Sequence, residues 1–207
     1  MPEAIVVHAP APGRTPRRLV LMFHGVGAQA QGLVPLGRML AAAFPEDAIL
    51  SVPAAHPSDL GAGRQWFSVR GVTEENRPGR VQEALPLFEQ AVKALQARYG
   101  VAPAETVLLG FSQGAIMSLE SARAGLALAG RIVSIAGRFA QRPESAPQGT
   151  TVHLVHGDSD EVIDVEYATS AAQRLQQLGV PVTLDVLTAT GHEITQEAAQ
   201  RVRDRLA

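Results

Sequence analysis

The sequence predicts an α/β fold, a mostly parallel central sheet with helices on both faces. Three observations carry that expectation. Short, β-branched apolar runs alternate with stretches of about ten or more residues at helical spacing, the rhythm of parallel strands joined by right-handed crossovers. One such run passes directly into Gly110-Phe111-Ser112-Gln113-Gly114 and then into a helical pattern. Glycine-rich or proline-rich loops follow the strand-like runs, at the edge where sheets of this kind bind ligands. With 207 residues, 46% hydrophobic and 18% charged, the chain can bury one sizeable core, and 1–207 reads as a single domain.

Residues 4–8 and 18–23 read as two strands separated by Pro10, Pro12, Gly13 and Pro16. The second ends in Phe23-His24-Gly25-Val26-Gly27, where glycine lets the backbone turn and present free N–H groups. That loop is either half of an oxyanion hole or an ordinary glycine turn. Residues 33–44 form a helix stopped by Pro45, and 48–52 a strand closed by Pro53. From 54 to 80 the pattern lapses into a long loop with the only tryptophan, Trp66, beside Phe67. Connections of that length are usually functional, so the two rings are candidates for the wall of a substrate pocket, with packing onto the core as the alternative.

A helix is expected from Pro78 to Tyr99, with Pro86 inside it kinking or restarting the turn. Strand 106–109 leads into the turn at Ser112 and helix 115–120. Strand 131–136 is followed by Phe139 in a loop. Strand 151–156, helix 164–178, strand 182–187 and helix 194–206 complete the chain, with Asp164 opening its helix as an N-cap or first-turn acid.

A formal charge of −2 with scattered basic residues argues against nucleic acid or an anionic membrane as partner. There is no cysteine, which removes disulfides and thiolate chemistry. Met1-Pro2-Glu3 places an acid where a signal peptide carries a base, and the apolar run behind it is too short to span a bilayer, so a cytoplasmic protein is expected.

The chemistry converges on Ser112. A serine between Gly110 and Gly114, at a strand-to-helix turn, has the spelling of a nucleophile elbow: both glycines must be bare for strand and helix to pass. Such a serine needs a base. Of the six histidines, His153 lies mid-strand, His8 lies near the first strand, His56 lies in a proline-bounded loop far upstream, and His24 and His156 precede glycine at strand ends, where an imidazole often satisfies nearby backbone groups. His192 stands in the loop after the last strand and suits the role by chain order. Among the acids of His156-Gly157-Asp158-Ser159-Asp160-Glu161-Val162-Ile163-Asp164, Asp160 is preferred for orienting the imidazole because it falls mid-loop, with Val162 and Ile163 free to anchor the far side. The histidines lack metal-ligand spacing, and neither metal nor cofactor is expected.

These segments, with Gly63-Arg64-Gln65-Trp66-Phe67-Ser68-Val69 and Gly191-His192, resemble the phospholipase/carboxylesterase family of α/β-hydrolases. That group includes the acyl-protein thioesterases, and within it the chain looks most like the small bacterial YpfH-type esterases. The resemblance spans nearly the whole chain. It implies the α/β-hydrolase fold and hydrolysis of small-molecule esters, of small or medium acyl groups, through an acyl-enzyme. It also implies Ser112 as nucleophile, Asp160 as acid, His192 as base, and the backbone N–H groups of Val26 and Gln113 as the oxyanion hole. Trp66, Phe67, Phe111 and Phe139 are the aromatic candidates for the substrate pocket. Acyl-protein thioesterases usually carry aspartates where this chain has Ala28 and Ser68, which bears on a protein-thioester substrate and not on the hydrolase chemistry. A thioesterase, lysophospholipase or peptidase would use the same triad. A non-catalytic binding module would show a broken triad or a blocked elbow, and neither is present.

Overall fold

Successive strand residues point to opposite faces of a sheet, and here both faces are apolar. In the computed structural model Leu19, Leu21 and Phe23 enter one core while Val20 and Met22 enter another. The structure describes residues 3–11 and 13–207; Met1 and Pro2 of the expected N-terminal reading and Pro12 of the first loop lie outside the described residues.

In chain order the elements are β1 (Ile5–His8), β2 (Leu19–Phe23), a 3-10 turn (Ala30–Leu33), α1 (Val34–Ala43), β3 (Ala48–Val52), β4 (His56–Pro57), β5 (Arg64–Gln65) and α2 (Arg77–Tyr99). A second 3-10 turn (Pro103–Glu105) precedes β6 (Thr106–Phe111), α3 (Gln113–Arg123), β7 (Arg131–Ile135), β8 (Thr151–Gly157), α4 (Val165–Gln177), β9 (Val182–Leu187) and α5 (Gln196–Leu206). Seven strands make one sheet in the order β1-β3-β2-β6-β7-β8-β9. Only β1 runs antiparallel, against β3, and the remaining pairs are parallel. Helices α2, α3 and α4 bury Phe88, Met117 and Leu175 on one face; α1 and α5 bury Leu40 and Val202 on the other. This is the expected mostly parallel sheet with both faces covered.

Of the two outcomes open at Pro86, a kink or a restart, the restart does not occur: helix α2 runs unbroken to Tyr99. Pro86 lies on the exposed side, where the carbonyl it leaves unpaired can be hydrated. Within the long loop, β4 and β5 pair as a short antiparallel ribbon. Asp164 caps α4 as expected, its carboxylate accepting the Glu166 N–H at 2.7 Å. One crossover stands apart: among the described residues no helix occupies 136–150, between the parallel strands β7 and β8.

Candidate active site

Strand register brings the relevant loops to one edge. Phe23 lies abreast of Gly110, Phe111 abreast of Ile135, and Gly157 abreast of Leu187. The loops that leave these ends therefore emerge side by side.

Ser112 sits between β6 and α3 at φ 52° and ψ −115°, a conformation that costs a non-glycine residue about 1–3 kcal/mol. Its surroundings impose it. The Ser112 N–H donates to the Ile135 carbonyl at 3.0 Å, and its carbonyl accepts from Ile116 at 3.0 Å. Bare neighbours are needed as well: a Cβ on Gly110 would stand 2.3 Å from the Ala115 nitrogen, and one on Gly114 would stand 2.2 Å from the Phe23 carbonyl oxygen. The two glycines of the motif thus answer two separate steric demands, one within the turn and one against β2.

Three of the side chains singled out by sequence lie in a hydrogen-bonded series. His192 Nε2 is 2.9 Å from Ser112 Oγ, and its Nδ1 is 2.8 Å from Asp160 Oδ2. A carboxylate only accepts, so Nδ1 carries the proton and Nε2 is free to receive that of Ser112. The loops bearing His192 and Asp160 are tied together: the Ser159 N–H donates to Thr190 O at 3.0 Å, and a Cβ on Gly157 would meet that same oxygen at 2.0 Å. Phe111 tilts against the imidazole with ring centroids 5.1 Å apart.

Asp160 has a fully buried side chain. Its Oδ1 accepts the N–H groups of Val162 and Ile163, each at 2.9 Å. Burial raises its pKa, but the N–H of Ile163, then His192 and the N–H of Val162 outweigh it, and the carboxyl is held below its ordinary value. Of the two residues expected to anchor this loop, Ile163 is buried, whereas Val162 is exposed and contributes its backbone alone.

Sequence reasoning gives His156 a backbone-satisfying role and no part in the series, and its position is informative. Its Nε2 donates to the Ile163 carbonyl at 2.7 Å and lies 3.2 Å from Asp160 Oδ2. The one N–H thus staples the acid loop and faces the carboxylate. The available signal was its spacing of four residues before Asp160, at the mouth of β8. His24 is structural: its Nδ1–H donates to Gly25 O at 2.8 Å while Nε2 accepts from Ala54 N–H at 3.1 Å. Burial foremost keeps its pKa below the usual histidine value, so it is neutral near pH 7.

The backbone donors are placed as follows. A Cβ on Gly25 would lie 3.2 Å from the Ser112 Cβ, so the loop carrying Val26 abuts the serine. Gln113 opens α3, where first-turn N–H groups have no intrahelical acceptor. The Val26 loop is braced from behind: Gly27 N–H donates to Arg64 O at 3.0 Å, and Arg64 N–H returns to Ala28 O at 2.9 Å. Gln113 also uses its side chain. Oε1 accepts the Trp66 N–H at 2.7 Å and Nε2 donates to Phe67 O at 2.9 Å, which moors the long loop to the start of α3.

The four aromatic candidates separate. The Trp66 ring packs onto the core, 1% exposed and 5.1 Å from Phe88 and 6.1 Å from Phe23, while Trp66 and Phe67 also border a surface cleft with Ser68 and Arg80. Phe67 is also buried. Phe139 is buried beneath a groove beside α4, and Phe111 stands next to His192. Among the described residues no three His, Asp or Glu side chains cluster to hold a metal ion, and no helix is long and apolar enough to cross a membrane.

A model of the phospholipase/carboxylesterase family matches residues 4–207. The chain belongs to that family. Esterase YpfH of Escherichia coli is 43% identical over 196 residues, 95% of this chain and 84% of that protein. An acyl-protein thioesterase 1 of Gibberella zeae is 32% identical over 114 residues, half of this chain and 47% of the other. Among solved structures, esterase PE8 superposes with a TM-score of 0.85 at 28% identity, covering 99% of this chain and 96% of that one. Phospholipase/carboxylesterase membership agrees with an α/β-hydrolase fold in which β6 and α3 flank the serine.

Proposed function

We propose that the protein hydrolyses carboxylic esters of small or medium acyl groups through an acyl-enzyme on Ser112, with His192 as general base and Asp160 as the acid that orients it. By family and by its relatives the chain is a serine hydrolase of the esterase class. The observation that supports the residue roles is the series Ser112 Oγ to His192 Nε2, 2.9 Å, and His192 Nδ1 to Asp160 Oδ2, 2.8 Å.

The chemistry follows from that series. His192 Nε2 takes the hydroxyl proton as Oγ forms a bond to the ester carbonyl carbon. The carbonyl oxygen becomes an oxyanion, held by the N–H groups of Val26 and Gln113, and buried Asp160 stabilises the imidazolium. Loss of one such donor typically costs about 10²–10³ in rate. The same proton then passes to the departing alkoxide as the C–O bond breaks, leaving alcohol and acyl-enzyme. Water attacks in turn, gives its proton to His192, and Ser112 is restored as the acid leaves.

We read the whole chain as one domain working on small-molecule esters in the cytoplasm. A thioesterase or lysophospholipase would use the same side chains, so matched esters and thioesters belong in the assay. Ser112→Ala is expected to lower hydrolysis of a short-chain aryl ester by roughly 10⁴-fold or more while the circular dichroism spectrum is kept. Full activity in a folded variant would sink the assignment. A fluorophosphonate should label one serine per chain, and a peptide map placing the adduct away from Ser112 would overturn it.

A further inference from the structure

Where a helix would normally cover the β7–β8 crossover there is instead a groove of about 500 Å³. Phe139 and Ala140 are buried at its base, the 138–143 segment forms one wall, and the outer side of α4 forms the other. That volume is within the range, about 300–1,000 Å³, that takes small molecules. Its charge is one-sided. Arg138, Arg142 and Arg174 line it and no Asp or Glu does, in a chain whose formal charge is −2.

The three arginines are not equivalent. Arg138 is neutralised by Glu74, with nitrogen to oxygen distances of 3.1 and 2.6 Å, and its guanidinium lies over the Tyr167 ring at 3.6 Å. Arg174 donates from Nε to Pro143 O at 2.8 Å and from its terminal nitrogen to Glu144 O at 3.3 Å. Carbonyls fix its position without cancelling its charge. They also hold it against the segment that carries exposed Arg142. Neither Arg142 nor Arg174 forms an ion pair among the described residues, whereas Arg138 does. Two guanidinium groups that line one groove without a carboxylate partner favour an arriving counter-charge, and a cleft lined by one sign concentrates the opposite ion.

The groove opens at the same edge of the sheet as the site, since its walls follow the C-terminal ends of β7 and β8. Ile135, whose carbonyl receives the Ser112 N–H, is followed three residues later by Arg138, and Tyr167 opens the other wall just beyond the loop of Asp160. From Tyr167 to Arg174 is seven residues of helix, about 10 Å. We infer that the groove receives the far, anionic end of an extended ester whose carbonyl lies at Ser112. Arg142 and Arg174 bind the oxyanion terminus, and Phe139 supports the apolar arm between. This rests on Ser112 being the nucleophile.

The test uses p-nitrophenyl monoesters of α,ω-dicarboxylic acids of graded length, each against the matching ω-carboxamide ester. A parallel series of acetate esters of ω-hydroxycarboxylates, again against the amides, puts the anion on the alcohol side. In at least one series, at the length that reaches Arg142 and Arg174, kcat/KM should favour the carboxylate about tenfold or more at low salt, and less at high salt. Arg142→Glu, on an exposed side chain, should bring that ratio to one or below. A wild-type ratio of one at every length in both series overturns the inference, as does a preference that survives Arg142→Glu. Hydrolysis of the amide-ended esters without any preference refutes the groove and leaves the nucleophile assignment standing. If no ester is hydrolysed, that assignment fails, and calorimetry with free suberate decides the groove: binding lost in Arg142→Glu supports an anion site, and absence of binding overturns it.

Discussion

Asp160→Asn tests the site at the point where its hydrogen bonds leave least freedom. The carboxylate accepts on both oxygens: two backbone N–H groups at Oδ1, and His192 Nδ1–H at Oδ2 with the His156 N–H 3.2 Å away. An amide has one oxygen to offer. Turned so that the NH₂ faces Val162 and Ile163, it would oppose two backbone donors that cannot change, at about 1–3 kcal/mol for each donor left unsatisfied. The reverse orientation keeps the loop and presents NH₂ to His192, which can change tautomer. That orientation wins. His192 then carries its proton on Nε2, facing Ser112, and can no longer accept. Losses of about 10⁴ in kcat accompany that tautomer error in serine hydrolases, or roughly 5 kcal/mol of transition-state stabilisation. The assay is steady-state hydrolysis of p-nitrophenyl acetate beside a urea melt. The expected result is the kcat loss with KM little changed and a small destabilisation from the NH₂ now facing the His156 N–H. Activity within tenfold of wild type would refute the reasoning.

Gly114→Ala should be far worse than a helix-propensity argument suggests, because the new methyl would meet the Phe23 carbonyl at 2.2 Å; loss of ester hydrolysis together with a fall of about 3 kcal/mol or more in urea stability is expected. Gln113→Leu keeps the backbone N–H at the serine but strips partners from Trp66 N–H and Phe67 O, so stability should drop by roughly 2–4 kcal/mol, with the long loop becoming the first site of proteolysis. His153 supplies a pH test. Burial first, then Arg131 and Arg205, against Asp185, lower its pKa from 6.5 to about 4. Between those values the unfolded chain binds a proton that the folded chain refuses. Its contribution is therefore complete above about pH 6.5 and is lost as pH falls toward 4, by up to roughly 3 kcal/mol. Urea melts from pH 7 to 4.5 should show the slope, and His153→Leu should flatten it.

The seven main strands and five helices were legible because each carries its own period and its own punctuation by Gly, Pro or a cap. The ribbon of β4 and β5 was not, since two-residue strands such as His56–Pro57 have no period to read. Ser112, Asp160 and His192 stood out because each sits at a strand end in a recognisable order. What stayed hidden depends on contacts across the chain. Trp66 became core because Phe23 and Phe88, from distant segments, close around it. The side chain of Gln113 reaches back to residues 66 and 67, a partnership that no local pattern records. Likewise the facing of His156 and Asp160 requires the turn between them to fold first, and the groove beside α4 exists only because a crossover lacks its helix.

The glycine contacts around the serine bear on how such an enzyme diversifies. Gly110 against Ala115, Gly114 against Phe23, Gly157 against Thr190 and Gly63 against the Gly27 carbonyl all place main chain directly on main chain. Side-chain drift in the two cores, which swaps one apolar residue for another, has little leverage on distances set this way. Backbone contact also leaves no rotamer through which selection can make small adjustments, so the reacting centre is inherited nearly whole or lost. New substrate preferences then have to arise in the segments that touch the centre without building it. In this chain those are the loop moored by Gln113 and the helix-free stretch ahead of β8.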